Sequence, residues 1–136
     1  MKKVLKCLLM MILTLAMVSC SSSEEKSKSK KSTLQNVDVE KFSQLVKKGN
    51  GTILDVRTPE EVQSGKIESA VNINFFDRSF KEQANELDKT KPVYVYCASG
   101  GRSGRAMKIL GNLGFKEVYN LNGGMGAWKG KGYATK

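Results

Sequence analysis

Of the three cysteines in the chain, Cys97 is the one placed to do chemistry. It directly follows the apolar run Val93-Tyr94-Val95-Tyr96, and Ala98-Ser99-Gly100-Gly101-Arg102 separates it from an amphipathic stretch that opens at about Ser103. Small residues in such a loop let successive backbone N–H groups turn towards one point, and the positive end of a helix behind them favours an anion there. That helix end is worth up to about 2 kcal/mol. Since about 1.4 kcal/mol is a tenfold change in acidity, a thiol at the focus becomes roughly tenfold more acidic before N–H bonds and Arg102 are counted. Cys97 then falls among reactive cysteines, whose pKa values run from roughly 3.5 to 7.5. The chain contains no histidine, which excludes Ser-His-Asp and Cys-His catalysis and histidine-bearing zinc sites. Backbone amides and the guanidinium must do the activating. The same pattern also fits an inert cysteine buried ahead of a glycine-rich turn.

Positioning such a loop requires a strand before it and a helix after it, and the rest of the sequence supplies that alternation. Short apolar runs alternate with capped amphipathic segments from Leu34 onward, which predicts an α/β fold around a largely parallel sheet. Asp38 caps a helix carrying Phe42, Leu45 and Val46, ended by Gly49-Asn50-Gly51. Thr52-Ile53-Leu54 reads as a strand, and Thr58-Pro59-Glu60-Glu61 has the spacing of a capping box with proline at the first helical position. Val71 to Asn74 reads as a further strand, Ser79 with Glu82 as a second capping box, and Val93–Tyr96 as the clearest strand of all. Ala106, Ile109, Leu110 and Leu113 share one helical face that Gly114 terminates. Val118–Leu121 and a short helix from Gly123 to Trp128 complete the pattern. In open sheets of this kind ligands gather beyond the carboxyl ends of the strands, where Cys97 stands.

With 136 residues the chain has room for one domain. Its formal charge of +10 is concentrated at the amino end: without the seven lysines and two glutamates of residues 1–33, the remainder carries +5. That is an ordinary solvated surface with no aromatic-interleaved basic stripe, so no nucleic-acid partner is expected. Lys2, Lys3 and Lys6 precede an apolar run from Cys7 to Val18 that has the length of a signal-peptide core and is too short to span a bilayer. It ends at Ser19-Cys20, resembling a bacterial lipobox, although Met17 stands where leucine is more usual. We therefore expect residues 1–19 to be a lipoprotein signal peptide and Cys20 to be lipidated. Residues 20–33, rich in serine and lysine, would form a flexible tether, and residues 34–136 the domain. The mature protein would be exported and anchored to a cell-envelope membrane. It would then retain a single free thiol.

Several separated motifs in one order resemble a rhodanese-homology domain. They are Leu54-Asp55-Val56-Arg57, Glu60-Glu61, Gly65 with Ile67, Ala70, Asn72 and Ile73, Tyr94-Val95-Tyr96-Cys97, and a carboxyl-terminal set comprising Gly114-Phe115, Val118-Tyr119, Leu121, Gly123-Gly124 and Ala127-Trp128. The resemblance spans about Leu34 to Tyr133. It implies a central, largely parallel five-stranded sheet flanked by helices and the activity of a sulfurtransferase. Cys97 would attack the outer sulfur of thiosulfate or a low-molecular-weight persulfide, become a persulfide, and pass that sulfur to a thiol or cyanide acceptor in a ping-pong cycle. Ala98, Ser99, Gly100, Gly101, Arg102 and Ser103 would hold the terminal sulfur anion, and Asp55 and Arg57 would brace neighbouring loops as ion pairs. Trp128 would pack near the site wall. No metal or cofactor and no obligate partner are expected, and the domain would be a monomer. Ala98 and Gly101 stand where many thiosulfate-using relatives carry a basic residue, and Lys66 where relatives often have histidine.

Two other readings share the pattern. Phosphatases and arsenate reductases of the same fold place five residues between cysteine and arginine, whereas Cys97 and Arg102 are separated by four, a ring that suits a single sulfur. A non-catalytic interaction module is the alternative from a different class, and the retained cysteine and arginine weigh against it.

Overall fold

Val93 and Val95 face one side of a sheet and Tyr94 and Tyr96 the other, as strand alternation requires, and all four are buried. A strand buried on both faces belongs in the middle of a parallel sheet. The computed structural model describes residues 31–136 and places it there. The signal peptide, the lipidated Cys20 and most of the tether expected from the sequence lie outside the described residues.

The elements run β1 (Thr33–Val37), α1 (Val39–Lys47), β2 (Thr52–Asp55), α2 (Pro59–Gln63), β3 (Val71–Asn72), α3 (Phe80–Asn85), β4 (Val93–Tyr96), α4 (Gly101–Asn112), β5 (Glu117–Leu121) and α5 (Gly124–Gly130). The five strands lie in the order β1-β5-β4-β2-β3, and every pairing is parallel. Leu54 stands opposite Val95 and Val93 opposite Val118, so apolar residues align across the three central strands. One face buries Val56, Val95, Ala106, Leu110, Phe115 and Val118. The other buries Phe42, Leu45, Tyr94, Tyr96, Leu121 and Trp128, with Phe42 meeting both Tyr94 and Trp128 edge-on at 6.2 Å.

Local signals account for most boundaries. Asp38 accepts the Lys41 N–H at 2.8 Å, and Thr58 and Glu61 form both halves of their capping box. The second expected box does not form. Ser79 has ψ near 15° rather than the extended geometry a cap needs, so its hydroxyl accepts from Gln83 Nε2 at 2.8 Å instead. The strand expected over Val71–Asn74 is only Val71–Asn72. The sequence pattern also lacked β1: Thr33, placed at the end of the tether, pairs with Glu117 as the first residue of an edge strand whose first four side chains are exposed. Such a strand carries little apolar alternation to read.

Candidate functional site

β4 delivers Cys97 to the carboxyl edge of the sheet, with its side chain on the same face as Val93 and Val95 and only 1% of the residue exposed. The loop then turns through Gly100 at φ +100°, a left-handed conformation that strains any L side chain. That turn starts α4 at Gly101, two residues earlier than the expected start at Ser103, and it points the Gly100 N–H at the thiol. Gly100 N donates to Cys97 Sγ at 3.1 Å, and Ser103 Oγ donates to the same sulfur at 3.3 Å.

The outward side of the loop is tied to its neighbours. The Cys97 carbonyl accepts from Met125 N at 2.8 Å and the Ala98 carbonyl from Gly126 N at 3.1 Å. The Gly100 carbonyl accepts from Asn120 Nδ2 at 3.2 Å. With these carbonyls held outwards, the Ser99 and Gly100 N–H groups are left to face the sulfur. Gly124 makes this docking possible, because a Cβ there would stand 2.7 Å from both Ala98 C and Ser99 N.

These donors decide the acidity of the thiol. Burial by itself pushes it up, but the Ser103 hydroxyl and the N–H groups of Ser103, Ser99 and Gly100 outweigh burial and hold Cys97 below the ordinary thiol range.

Arg102 stands beside the loop, close enough for the Cys97 charge to favour its own. Its two terminal nitrogens are both engaged by one carboxylate: Nη1 donates to Glu61 Oε2 at 2.7 Å and Nη2 to Glu61 Oε1 at 2.6 Å. The Arg102 guanidinium, helped by the Thr58 N–H, holds the Glu61 carboxyl down at about 2. From the sequence, Glu61 is half of a capping box and part of a family-like motif, with no role assigned at the site. Its place four residues after Arg57 and on the first turn of α2 was the available signal for more. The hydroxyl of Ser103 was likewise missed, since the loop was read for its backbone amides alone.

Asp55 and Arg57 sit at the end of β2, with the Arg57 guanidinium carbon 5.6 Å from the ring of Tyr96, whose side chain is on the sheet face opposite Cys97. They form a buried ion pair, Arg57 Nη2 to Asp55 Oδ2 at 2.7 Å, and Arg57 continues to the carbonyls of Glu61 (3.1 Å) and Gly65 (2.9 Å). The pair thus holds the carboxyl-terminal half of α2 and the turn that follows it, and α2 presents Glu61 to Arg102. Trp128 is 6% exposed and donates from Nε1 to the Ala134 carbonyl at 3.0 Å, a packed aromatic. Lys66 donates to the Ala70 carbonyl at 2.9 Å and so closes a local turn.

Comparison with known families decides what these parts belong to: residues 38–131, well over half of the chain, match the model described as the rhodanese-like domain. The chain belongs to that family. This rhodanese-like domain is 44% identical over 84 residues to the uncharacterized protein YqhL of Bacillus subtilis, covering 62% of this chain and 65% of that one. It is 38% identical over 86 residues to the thiosulfate sulfurtransferase GlpE of Coxiella burnetii, covering 63% and 78%. A tRNA uridine(34) hydroxylase of Pelagibacter ubique is 37% identical over 102 residues, which cover 73% of this chain but 33% of the hydroxylase. Among solved structures, a rhodanese-related protein of Thermoplasma volcanium superposes with a TM-score of 0.67 at 30% identity, covering 75% of this chain and 97% of that one. The family thus includes proteins named as sulfurtransferases and, as part of a longer chain, a hydroxylase.

Proposed function

We propose that the rhodanese-like domain is a sulfurtransferase that carries sulfane sulfur as a Cys97 persulfide. The observation that carries this reading is the convergence of the Gly100 N–H and the Ser103 hydroxyl on a sulfur that closes a loop with Arg102. Donors fixed before the reaction stabilise a sulfur anion without reorganisation, as in an oxyanion hole. In the first half-reaction the Cys97 thiolate attacks the outer sulfur of thiosulfate or a persulfide. A Cys97–sulfur bond forms, the donor's own sulfur–sulfur bond breaks, and its electron pair leaves with sulfite or with the donor thiol. In the second, a thiol or cyanide acceptor takes the terminal sulfur, and the electron pair of the broken bond returns to Cys97. Oxidation state is conserved across the cycle, so neither metal nor redox cofactor is called for. The family resemblance to GlpE supports the same reading.

Incubation of the purified protein with thiosulfate or glutathione persulfide, followed by intact mass measurement, tests it. One added sulfur on Cys97, released as thiocyanate by cyanide and absent from Cys97→Ser, is the expected result. No added sulfur from either donor would leave a non-catalytic binding role in its place.

The cellular setting we propose is the outer side of a bacterial membrane, with lipidated Cys20 as the anchor. The support is the sequence of residues 1–33 alone: a basic start, a short apolar run, Ser19-Cys20 and a polar tether. Fractionation of cells expressing the full chain should find it with membranes, and Cys20→Ser should release it.

A further inference from the structure

We propose that the site is built for an organic persulfide, R–S–SH, in preference to thiosulfate, and that Phe76 is the residue that selects it. This rests on the Cys97 persulfide reading above and names its donor class. Three features of the site point the same way.

The first is charge. Thiosulfate brings two negative charges and releases sulfite with two. Arg102, the cation that borders the loop, already has both terminal nitrogens on Glu61, and Glu61 stays ionised throughout the working pH range because that guanidinium holds it so low. A dianion would approach a cation that is already paired with a carboxylate, which reduces the attraction it gains. Ala98, Ser99, Gly100 and Gly101 add no positive charge to the loop. An organic persulfide brings at most one charge on its reacting sulfur, the atom that the loop donors are placed to receive, and carries any other charge away from it on the organic part.

The second is the wall of the site. Phe76 is 63% exposed, an unusual position for phenylalanine, and its ring lies 5.4 Å from the Arg102 guanidinium carbon. Phe75 meets it edge-on at 5.9 Å. An apolar face beside the Arg102 guanidinium gives thiosulfate nothing to touch. It offers the carbon chain of an organic donor a surface to cover.

The third is Arg105, one helical turn from Arg102. Its guanidinium lies 5.3 Å from the Phe75 ring and makes no ion pair among the described residues. It can meet a carboxylate on the organic part of the donor. The transfer balances with no further reactant: the Cys97 thiolate bonds to the outer sulfur, the donor's sulfur–sulfur bond breaks with its electron pair leaving on the R–S sulfur, and the proton of the outer sulfur passes to that leaving thiolate to give R–SH.

The rate of Cys97 persulfidation in the full chain, measured with glutathione persulfide and with thiosulfate in parallel, tests the assignment. The wild type should show kcat/KM at least about tenfold higher for glutathione persulfide. Phe76→Ala should lower that value about tenfold while leaving thiosulfate within about twofold, and Phe76→Tyr should restore it, the size expected for an apolar contact in a specificity pocket. Equal or better use of thiosulfate by the wild type would overturn the proposal, as would a parallel fall for both donors in Phe76→Ala. Thiosulfate loading alone would keep the sulfurtransferase reading and sink the donor assignment, whereas no loading from either donor would sink both.

Discussion

Cys97 works against its surroundings and depends on a few donors to do so. Burial favours the neutral thiol, so each hydrogen bond to the sulfur counts directly towards the thiolate. Ser103 contributes through both hydroxyl and N–H, and only the hydroxyl can be deleted cleanly. A hydrogen bond to a charged group is worth about 1.5–3 kcal/mol, so Ser103→Ala should raise the Cys97 pKa and move the acid limb of the kcat/KM profile to higher pH by about one unit or more. An unchanged limb would show that the hydroxyl does not hold the sulfur. Glu61 can be tested by its stability effect. Its folded value of about 2 lies below the unfolded value of about 4.3. The stability it adds is therefore complete above about pH 4.3 and is lost as pH falls towards 2. Glu61→Gln should cost about 1 kcal/mol at neutral pH, a figure kept small because the pair is partly solvated. The gap from wild type should close during acid titration of unfolding. The cysteine and its loop were legible from residue type and spacing. Glu61 and the hydroxyl of Ser103 were not, because a side chain with one sufficient local explanation gives no sign of a second.

At the scale of elements, the loop is shaped as much by α5 as by its own glycines. The amides of Met125 and Gly126 hold the carbonyls of Cys97 and Ala98, and Gly124 allows the approach. A methyl group at Gly124 would force the two segments apart in a well-packed region, at about 1–3 kcal/mol, with added strain from its φ of +55°. Gly124→Ala should therefore lower the melting temperature by about 4–24 °C, at roughly 4–8 °C per kcal/mol for a domain of this size, and slow persulfide formation more than tenfold. Normal melting with normal rates would mean the loop does not depend on α5. Here the sequence was informative unevenly. Thr58-Pro59-Glu60-Glu61 and Asp38 were read correctly because a cap is a local interaction. Ser79 was misread because capping needs an extended backbone, which neighbours decide. The two-residue β3 and the exposed β1 owe their existence to pairing with distant strands, and pairing of that kind leaves no periodic signature.

In the whole molecule, the strand order places β2 and β4 side by side while their following connections lead to opposite edges of the sheet. A crevice opens at that point in folds of this class. Asp55, Arg57 and α2 stand on one bank, Cys97 and α4 on the other, and the Glu61–Arg102 pair bridges them. The buried Asp55–Arg57 pair fixes the first bank. Removing one partner leaves a buried charge without its counter-ion, which costs about 3–5 kcal/mol. Asp55→Asn should lose that much stability in a denaturant titration, and a loss under 1 kcal/mol would show that the pair is dispensable. The parallel sheet, its helices and the strand-end position of the site could be foreseen from alternation and caps, whereas the bridge across the crevice is a product of topology.

The account turns on whether this loop keeps the buried sulfur ionised. The pH dependence of Cys97 alkylation, followed by mass of the Cys97 peptide, measures that directly. Half-maximal reactivity should fall clearly below the ordinary thiol value of about 8.5, in line with the direction set by the loop donors. A midpoint at or above that value would contradict the account.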